Sequence, residues 1–228
     1  MRARRYSVVP VLTAVALVAY GQAAYAEQTI SVAENRLFLS NHLSGLPDST
    51  VLSYAYAKAG SLETSRQDSV RVTISPGSPE SGRQVRVDYL SGEQRFELPA
   101  IGAANGNPVI LFFLERDVRE MQRLTGGQAA YFRKRVRMAL ADAAEIRPIT
   151  FEFAGHAVAG ELITVHPYRN DPLQKRYQRL AEKTYAFTLS DQVPGGVYRM
   201  ETVVEAPAAG AGTPPLISET LTLLGAQP

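Results

Sequence analysis

The chain has 228 residues, with 24 Lys and Arg against 22 Asp and Glu, three histidines and no cysteine. Without a thiol it can form no disulfide, offers no lipid-attachment cysteine and has neither a thiolate nucleophile nor a thiolate metal ligand. A formal net charge of +2 gives no support for nucleic-acid binding, because three of the arginines belong to a segment that reads as removable.

That segment is the start of the chain. Arg2, Arg4 and Arg5 form a basic region, Val8 to Tyr20 an apolar core interrupted by Pro10, and Ala24-Tyr25-Ala26 a small-x-small cleavage site. A membrane anchor needs about 20 apolar residues, so this core is too short and reads as a signal peptide over residues 1–26. Its removal leaves 202 residues (228 − 26) with 21 basic side chains (24 − 3) against 22 acidic ones, a mature net charge of −1. The expected mature chain, 27–228, fits one soluble domain exported to a bacterial periplasm, with no integral membrane span.

Ser31-x-x-Glu34 is a capping box, and Leu39, Leu43 and Leu46 follow at helical spacing until Gly45 and Pro47, so an N-terminal amphipathic helix is expected. His42 falls within it and reads as a satisfied or polar-face histidine. Four segments then alternate with period two: Leu52 to Tyr56, Val70 to Ile74, Val85 to Tyr89, and Phe96 to Leu98. Their short connectors suit antiparallel neighbours.

The stretch from Asn107 to Gly127 is a helix with a written start and stop. Asn107 caps it, Pro108 fits its first turn, and Gly126-Gly127 ends it. Ile110, Leu111, Leu114, Val118, Met121 and Leu124 make an apolar stripe, opposite a charged face on which Glu115 pairs by spacing with Arg119, Arg116 with Glu120, and Glu120 with Arg123. A second helix runs from about Gln128 to Ala144 on Phe132, Val136, Ala139, Leu140 and Ala143. Its outer face crowds Arg133, Lys134, Arg135 and Arg137 into one and a half turns, a solvated face or a patch for anionic groups and partners.

Strands resume beyond Pro148. Phe151 and Phe153, Ile163 and Val165, Tyr185 to Leu189, Val197 to Glu205, and Ile217 to Leu223 supply five more, with a turn at Ala154-Gly155-His156 and another at Pro194-Gly195-Gly196. Between them Asp171-Pro172, followed by Leu173, Tyr177 and Leu180, starts a short amphipathic helix, and Asp171 to Lys183 is a candidate lid or a plain connector. Helix, four strands, two helices and five strands make an α+β fold. The expected architecture is a large curved antiparallel sheet of about nine strands, a half-barrel, with the N-terminal helix and the central helical pair on its concave face.

An exported, cysteine-free chain with this order of elements resembles the bacterial lipoprotein-localisation carriers of the LolA/LolB-like fold. The resemblance covers the mature chain through element order, and implies a half-barrel that holds acyl chains and so a lipid or lipidated-protein partner. The FLERD, RLTGG and YFRKR pieces between Asn107 and Leu140 are similar to a set of secreted bacterial proteins, and that similarity brings no activity with it.

The residues themselves offer little chemistry. There is no G-x-S-x-G elbow, no H-E-x-x-H and no glycine-rich phosphate loop, so no catalytic residue, metal ligand or cofactor is assigned. His166 with Asp171 is the one combination with any metal-site character, and Glu115 or Glu120 the acids an enzyme would use. Binding is better supported. Tyr54, Tyr56, Phe96, Phe151, Phe153, Tyr185 and Phe187 occupy alternating positions and can share one sheet face, as core if the helices fill it and as an apolar cavity if they do not. Three readings result: a periplasmic binding or carrier protein for a lipid, lipoprotein or other amphiphile, possible at a membrane surface; an envelope-assembly module with a closed core; and a hydrolase using acids of the central helix.

Overall fold

The computed structural model describes residues 30–77, 83–98, 101–102, 106–207 and 213–228. The expected signal peptide and cleavage site lie outside them, as do parts of the linkers around residues 78–82, 99–105 and 208–212. Among the described residues nine strands form one antiparallel sheet: β1 (Val51–Ala59), β2 (Arg66–Ser75), β3 (Gln84–Tyr89), β4 (Ile101–Gly102), β5 (Glu145–Phe153), β6 (His156–Val165), β7 (Thr184–Leu189), β8 (Val197–Val204) and β9 (Ile217–Gln227). Their order is β4-β3-β2-β1-β9-β8-β7-β6-β5, so the last strand joins an N-terminal half-sheet to a C-terminal one. The sheet curves and stays open, a half-barrel.

This order explains why the helices lie where they do. The connection from β4 to β5 must run from one edge of the sheet to the other. Eight spacings of about 4.8 Å would separate those edges by roughly 38 Å if the sheet were flat. The 17-residue α2 (Val109–Thr125) is roughly 25 Å long. Together with α3 (Ala129–Asp142) it carries the chain across the concave face, and the curvature shortens the span.

Helix α2 begins and ends as its sequence dictates. The Asn107 carbonyl Oδ1 accepts the Val109 N–H at 3.2 Å, and Gly126 takes the left-handed conformation, φ 66°, that stops the helix. The N-terminal capping box forms in both directions between Ser31 and Glu34. Helix α1 (Val32–Glu34) then widens into a π turn, Asn35–Leu39, which closes with the Ser40 N–H on the Asn35 carbonyl. The helix stops there, so its buried face is Ala33 and Leu37. Leu39 is exposed and Leu43 is buried from the turn beyond.

Other boundaries differ from the periodicity for local reasons. Phe96 makes a single bridge to Tyr89, and the fourth strand is instead Ile101–Gly102, because Gly92–Gln94 closes a 3-10 turn just before Phe96. Strand β5 starts at Glu145 and passes through Pro148, which it tolerates as the sheet's outermost strand. Ala143 leaves α3 with φ −139° and is exposed. The insertion folds as α4 (Gln174–Tyr177) followed by a 3-10 turn, Gln178–Glu182.

Candidate functional site

The sheet-facing side of α2 is ionic. Strand register places Arg66, Lys58, Glu219, Thr202 and Tyr185 in one row across β2, β1, β9, β8 and β7. On α2, Arg116 pairs with Glu219 rather than with Glu120 as its spacing suggests, and Asp117 accepts from Lys183 and from the Tyr185 hydroxyl. Glu120 accepts from Lys58 at 2.9 Å and from Arg123 at 2.7 Å. Asp117, Lys183 and Glu219 are each 1–2 % exposed. Charges this deep persist only when paired, since an isolated one would lose its hydration without return.

The pairing decides what these acids can do. Burial pushes the Glu120 carboxyl up, but hydrogen bonds from Arg123 and Lys58 outweigh it and hold the group at about 2. Glu115, on the other flank, is gripped by Arg133, with Arg119 at 3.9 Å. Glu120, held ionised in this way, is a structural counterion. Within the same layer the Tyr56 and Tyr89 hydroxyls and Thr202 Oγ1 find no protein partner. Burial raises both tyrosines, as does the Glu219 charge, while Arg116 lowers them.

A neutral knot fixes the start of α2. Asn107, 2 % exposed, donates through Nδ2 to Tyr54 Oη and to the Gly195 carbonyl, both at 2.9 Å. Its N–H donates to His42 Nδ1 at 3.1 Å, while His42 Nε2 stands 2.8 Å from the Arg36 carbonyl. Only the neutral Nε2–H tautomer satisfies both contacts. Gly195 and Gly196 turn the chain beneath the knot with φ 74° and 70°, and a Cβ on either would strike Leu52 or His42.

The insertion is tied down at both ends. Asp171 Oδ1 accepts from Tyr131 Oη at 2.7 Å and from the Leu173 N–H at 2.6 Å, and Oδ2 forms an ion pair with Arg135 at 2.7 Å, off the hydrogen-bond axis. Lys183 closes the other end on Asp117. Rings of Tyr131, Phe132, Tyr168 and Tyr177 pack between them at 5.5–6.4 Å. Asp171 is therefore engaged on both oxygens. Among the described residues no group of three or more His, Asp or Glu has metal-binding geometry.

The far side of the helices is apolar and open. Phe38 of the N-terminal turn, Leu98, Leu111, Leu114 and Val118 of α2, and Val136 and Leu140 of α3 line a groove of about 460 Å³. Glu34, Glu115, Arg133 and Arg137 are the charged residues that also line it. Leu111, read from sequence as part of the core stripe, is 45 % exposed, and Leu124 is 37 % exposed. The buried face of α2 is thus wider than the stripe: it keeps Ile110, Val118 and Met121, adds Val109, Phe112, Phe113, Arg116 and Asp117, and leaves Leu111 to the groove.

The seven aromatic candidates divide. Tyr54, Tyr56, Tyr185 and Phe187 lie on the concave face at 0–1 % exposure, and Phe96 packs edge-on to Tyr89 and Phe112. Helix α2 fills the space above them. Phe151 and Phe153 do not share that face. In the pairing Ile146 faces with Ile163 and Phe187, so the odd residues of β5 point the other way, and both rings pack on Tyr198, Phe151 stacked at 4.3 Å. Of the four basic candidates on α3, Arg133 is spent on Glu115 and Arg135 on Asp171, while Lys134 and Arg137 are exposed.

Sequence reasoning missed both the ionic layer and the groove. A signal for the first was present: Lys58 continues the inward alternation of Tyr54 and Tyr56, and Glu219 that of Leu223 and Leu221. Charges on core-facing strand positions need partners, and α2 is the element that can supply them.

No protein-family model and no curated protein sequence matches the chain. Among solved structures it is similar to the lipoprotein LppX of Mycobacterium tuberculosis, with 12 % identity over 76 % of this chain and 84 % of that one at a TM-score of 0.32. It is similar to LprF of Mycobacterium bovis, with 11 % identity over 84 % and 90 % of the two chains at a TM-score of 0.32. A LolA superfamily protein of Nitrosomonas europaea has 10 % identity over 86 % and 92 % of the chains at a TM-score of 0.23.

Proposed function

We propose that the protein is a non-enzymatic binding or carrier protein for an amphiphile, a lipid or a lipidated protein, in the periplasm. Residues 1–26 act as the export signal and 27–228 as a single binding domain. The observation that carries this reading is the groove between the N-terminal turn, α2 and α3: about 460 Å³ of apolar-walled space open to solvent. Leaving Leu111 and its neighbours wet is unfavourable by about 25 cal/mol per Å² of apolar surface, and a ligand tail removes that cost.

This moves the site. The aromatic row Tyr54, Tyr56, Tyr185 and Phe187 is core, and the acyl-binding surface is on the other side of α2. The same filled concave face supports a second reading, an assembly module whose helical surface docks a protein. Native mass spectrometry of the protein purified from the periplasm without detergent, followed by organic extraction and lipid analysis, separates the two. A stoichiometric bound lipid is expected. A bare protein mass, with no uptake of a fluorescent fatty acid, rejects the carrier reading and leaves the assembly module.

A further inference from the structure

The charges around the groove are not equivalent. Glu115 is held by Arg133 and Arg119, and Glu34 accepts the Ser31 N–H at 3.0 Å within its capping box. Arg137 lines the groove, is exposed, and has no ion pair or hydrogen bond among the described residues. Lys134, one position before Arg135 on the same helix, is exposed as well. Glu34 keeps its charge within that capping box, so among the described residues Arg137 is the one cation lining the groove without a carboxylate partner, suited to an oxyanion by its forked donors.

The room beyond it is limited. The apolar-walled space of about 460 Å³ is of the order of one acyl chain laid along an open groove. Two chains of a diacyl lipid need about twice the space.

We propose that the groove selects single-chain amphiphiles with an anionic head group, the tail lying along Leu111, Leu114, Val118 and Leu140 and the oxyanion held by Arg137. The inference rests on the carrier reading and adds the ligand class to it. The head group sits at the solvent edge, where Arg137 remains hydrated, and the tail enters past the exposed Leu111 without displacement of α2 from its ionic layer. Because the contact is at the surface, its strength falls with salt.

Isothermal titration and native mass spectrometry test it with four probes: palmitate, lysophosphatidylglycerol, the uncharged monopalmitoylglycerol and dipalmitoyl phosphatidylglycerol. The expected result is one-to-one binding of the two anionic single-chain probes, weaker binding of monopalmitoylglycerol, and poor binding of the diacyl lipid. Tighter binding of palmitate would identify a carboxylate as the preferred head, and of lysophosphatidylglycerol a phosphate; both support the proposal. Arg137→Gln, checked for an unchanged melting temperature, should weaken the anionic probes by about fivefold, the upper range for an exposed ion pair, and leave monopalmitoylglycerol unaltered. Equal affinity for lysophosphatidylglycerol and monopalmitoylglycerol, or no effect of Arg137→Gln, overturns the head-group assignment; one-to-one diacyl binding of equal strength overturns the single-chain limit. If none of the four probes binds, the carrier reading itself fails.

Discussion

Two faces of α2 depart from an ordinary amphipathic helix. Among its buried apolar residues it carries Arg116, Asp117 and, at the edge, Glu120, paired with Glu219, Lys183 and Lys58. Among its exposed polar ones it carries Leu111, which lines an open groove with the half-buried Leu114 and the buried Val118. Each face is unfavourable taken alone, and for opposite reasons. The buried ions lose hydration and are held by mutual pairing, whereas the exposed leucines order water and gain from any apolar cover. One face is complete within the chain, and the other leaves apolar surface that the proposed ligand would cover.

The largest test breaks the complete face. Asp117→Leu leaves Lys183 and the Tyr185 hydroxyl buried without their acceptor, and removing one partner of a buried pair is expected to destabilise by about 3–5 kcal/mol. The double variant Asp117→Leu, Lys183→Met removes the unpaired charge and leaves the Tyr185 hydroxyl its contact with the Tyr168 hydroxyl at 3.0 Å, and should recover most of that loss. Urea unfolding of the two proteins decides it. A single variant as stable as the parent would mean that the layer is wet and that its charges are not dependent on one another.

A smaller loss should follow from the turn that seats the start of α2. Gly195→Ala brings a Cβ within 2.4 Å of Leu52 Cδ1 and 3.0 Å of Asn107 Nδ2 at φ 74°. Strained backbone of this kind is unfavourable by about 1–3 kcal/mol. Thermal unfolding should show the loss while the groove, which this turn does not line, keeps its ligand affinity. Reduced affinity at unchanged stability would show that the knot sets the groove as well as the helix start.

Much of the chain was legible before any coordinates, and the reasons are local. Period-two alternation located eight of the strands and short connectors implied antiparallel neighbours, while the pairing of the first strand with the last was not legible; the capping box at Ser31 and the stop at Gly126 are contained in a few adjacent residues. What could not be read was rotation about the α2 axis. Its apolar residues make one wide arc, from Val109 and Phe113 through Ile110 and Met121 to Leu114, Val118 and Leu111, with Asp117 inside it. Periodicity cannot say which edge of that arc stays open. The choice belongs to Lys58 and Glu219, which lie 58 and 103 residues away from Asp117's neighbour Arg116 along the chain. Phe151 and Phe153 were misplaced for a related reason: alternation states that two residues share a face, and only the partner strand states which face that is.

The pH dependence follows from the knot. Burial is the main cause that lowers His42 below the ordinary histidine value of about 6.5, with the Arg36 charge adding to it and the Arg36 carbonyl and Asp191 opposing. The folded state therefore favours neutral imidazole. Its contribution is fully present above about pH 6.5 and is lost as pH falls from there through the folded value, because the unfolded chain takes up the proton first. One such group changes stability by at most about 1.4 kcal/mol per pH unit. His166 is shifted in the same direction, chiefly by burial, and adds to the slope. Denaturant melts between pH 7.5 and 5 should show declining stability, and His42→Gln should flatten the curve. A slope unchanged in the variant would assign the effect to His166.

The smallest expected change in stability tests the open face most directly. Leu111 is 45 % exposed and has no polar partner to lose, so Leu111→Gln should alter unfolding free energy by no more than about 0.5 kcal/mol. The same substitution puts an amide into the apolar wall of the groove. Uptake of a fluorescent fatty acid should then fall severalfold in a protein that melts like its parent. Such a separation is what an incomplete face predicts: a leucine kept at the surface contributes little to the fold and much to what covers it. Equal uptake by Leu111→Gln and parent would show that the tail does not pass this wall, and a marked loss of stability would show that Leu111 is core after all.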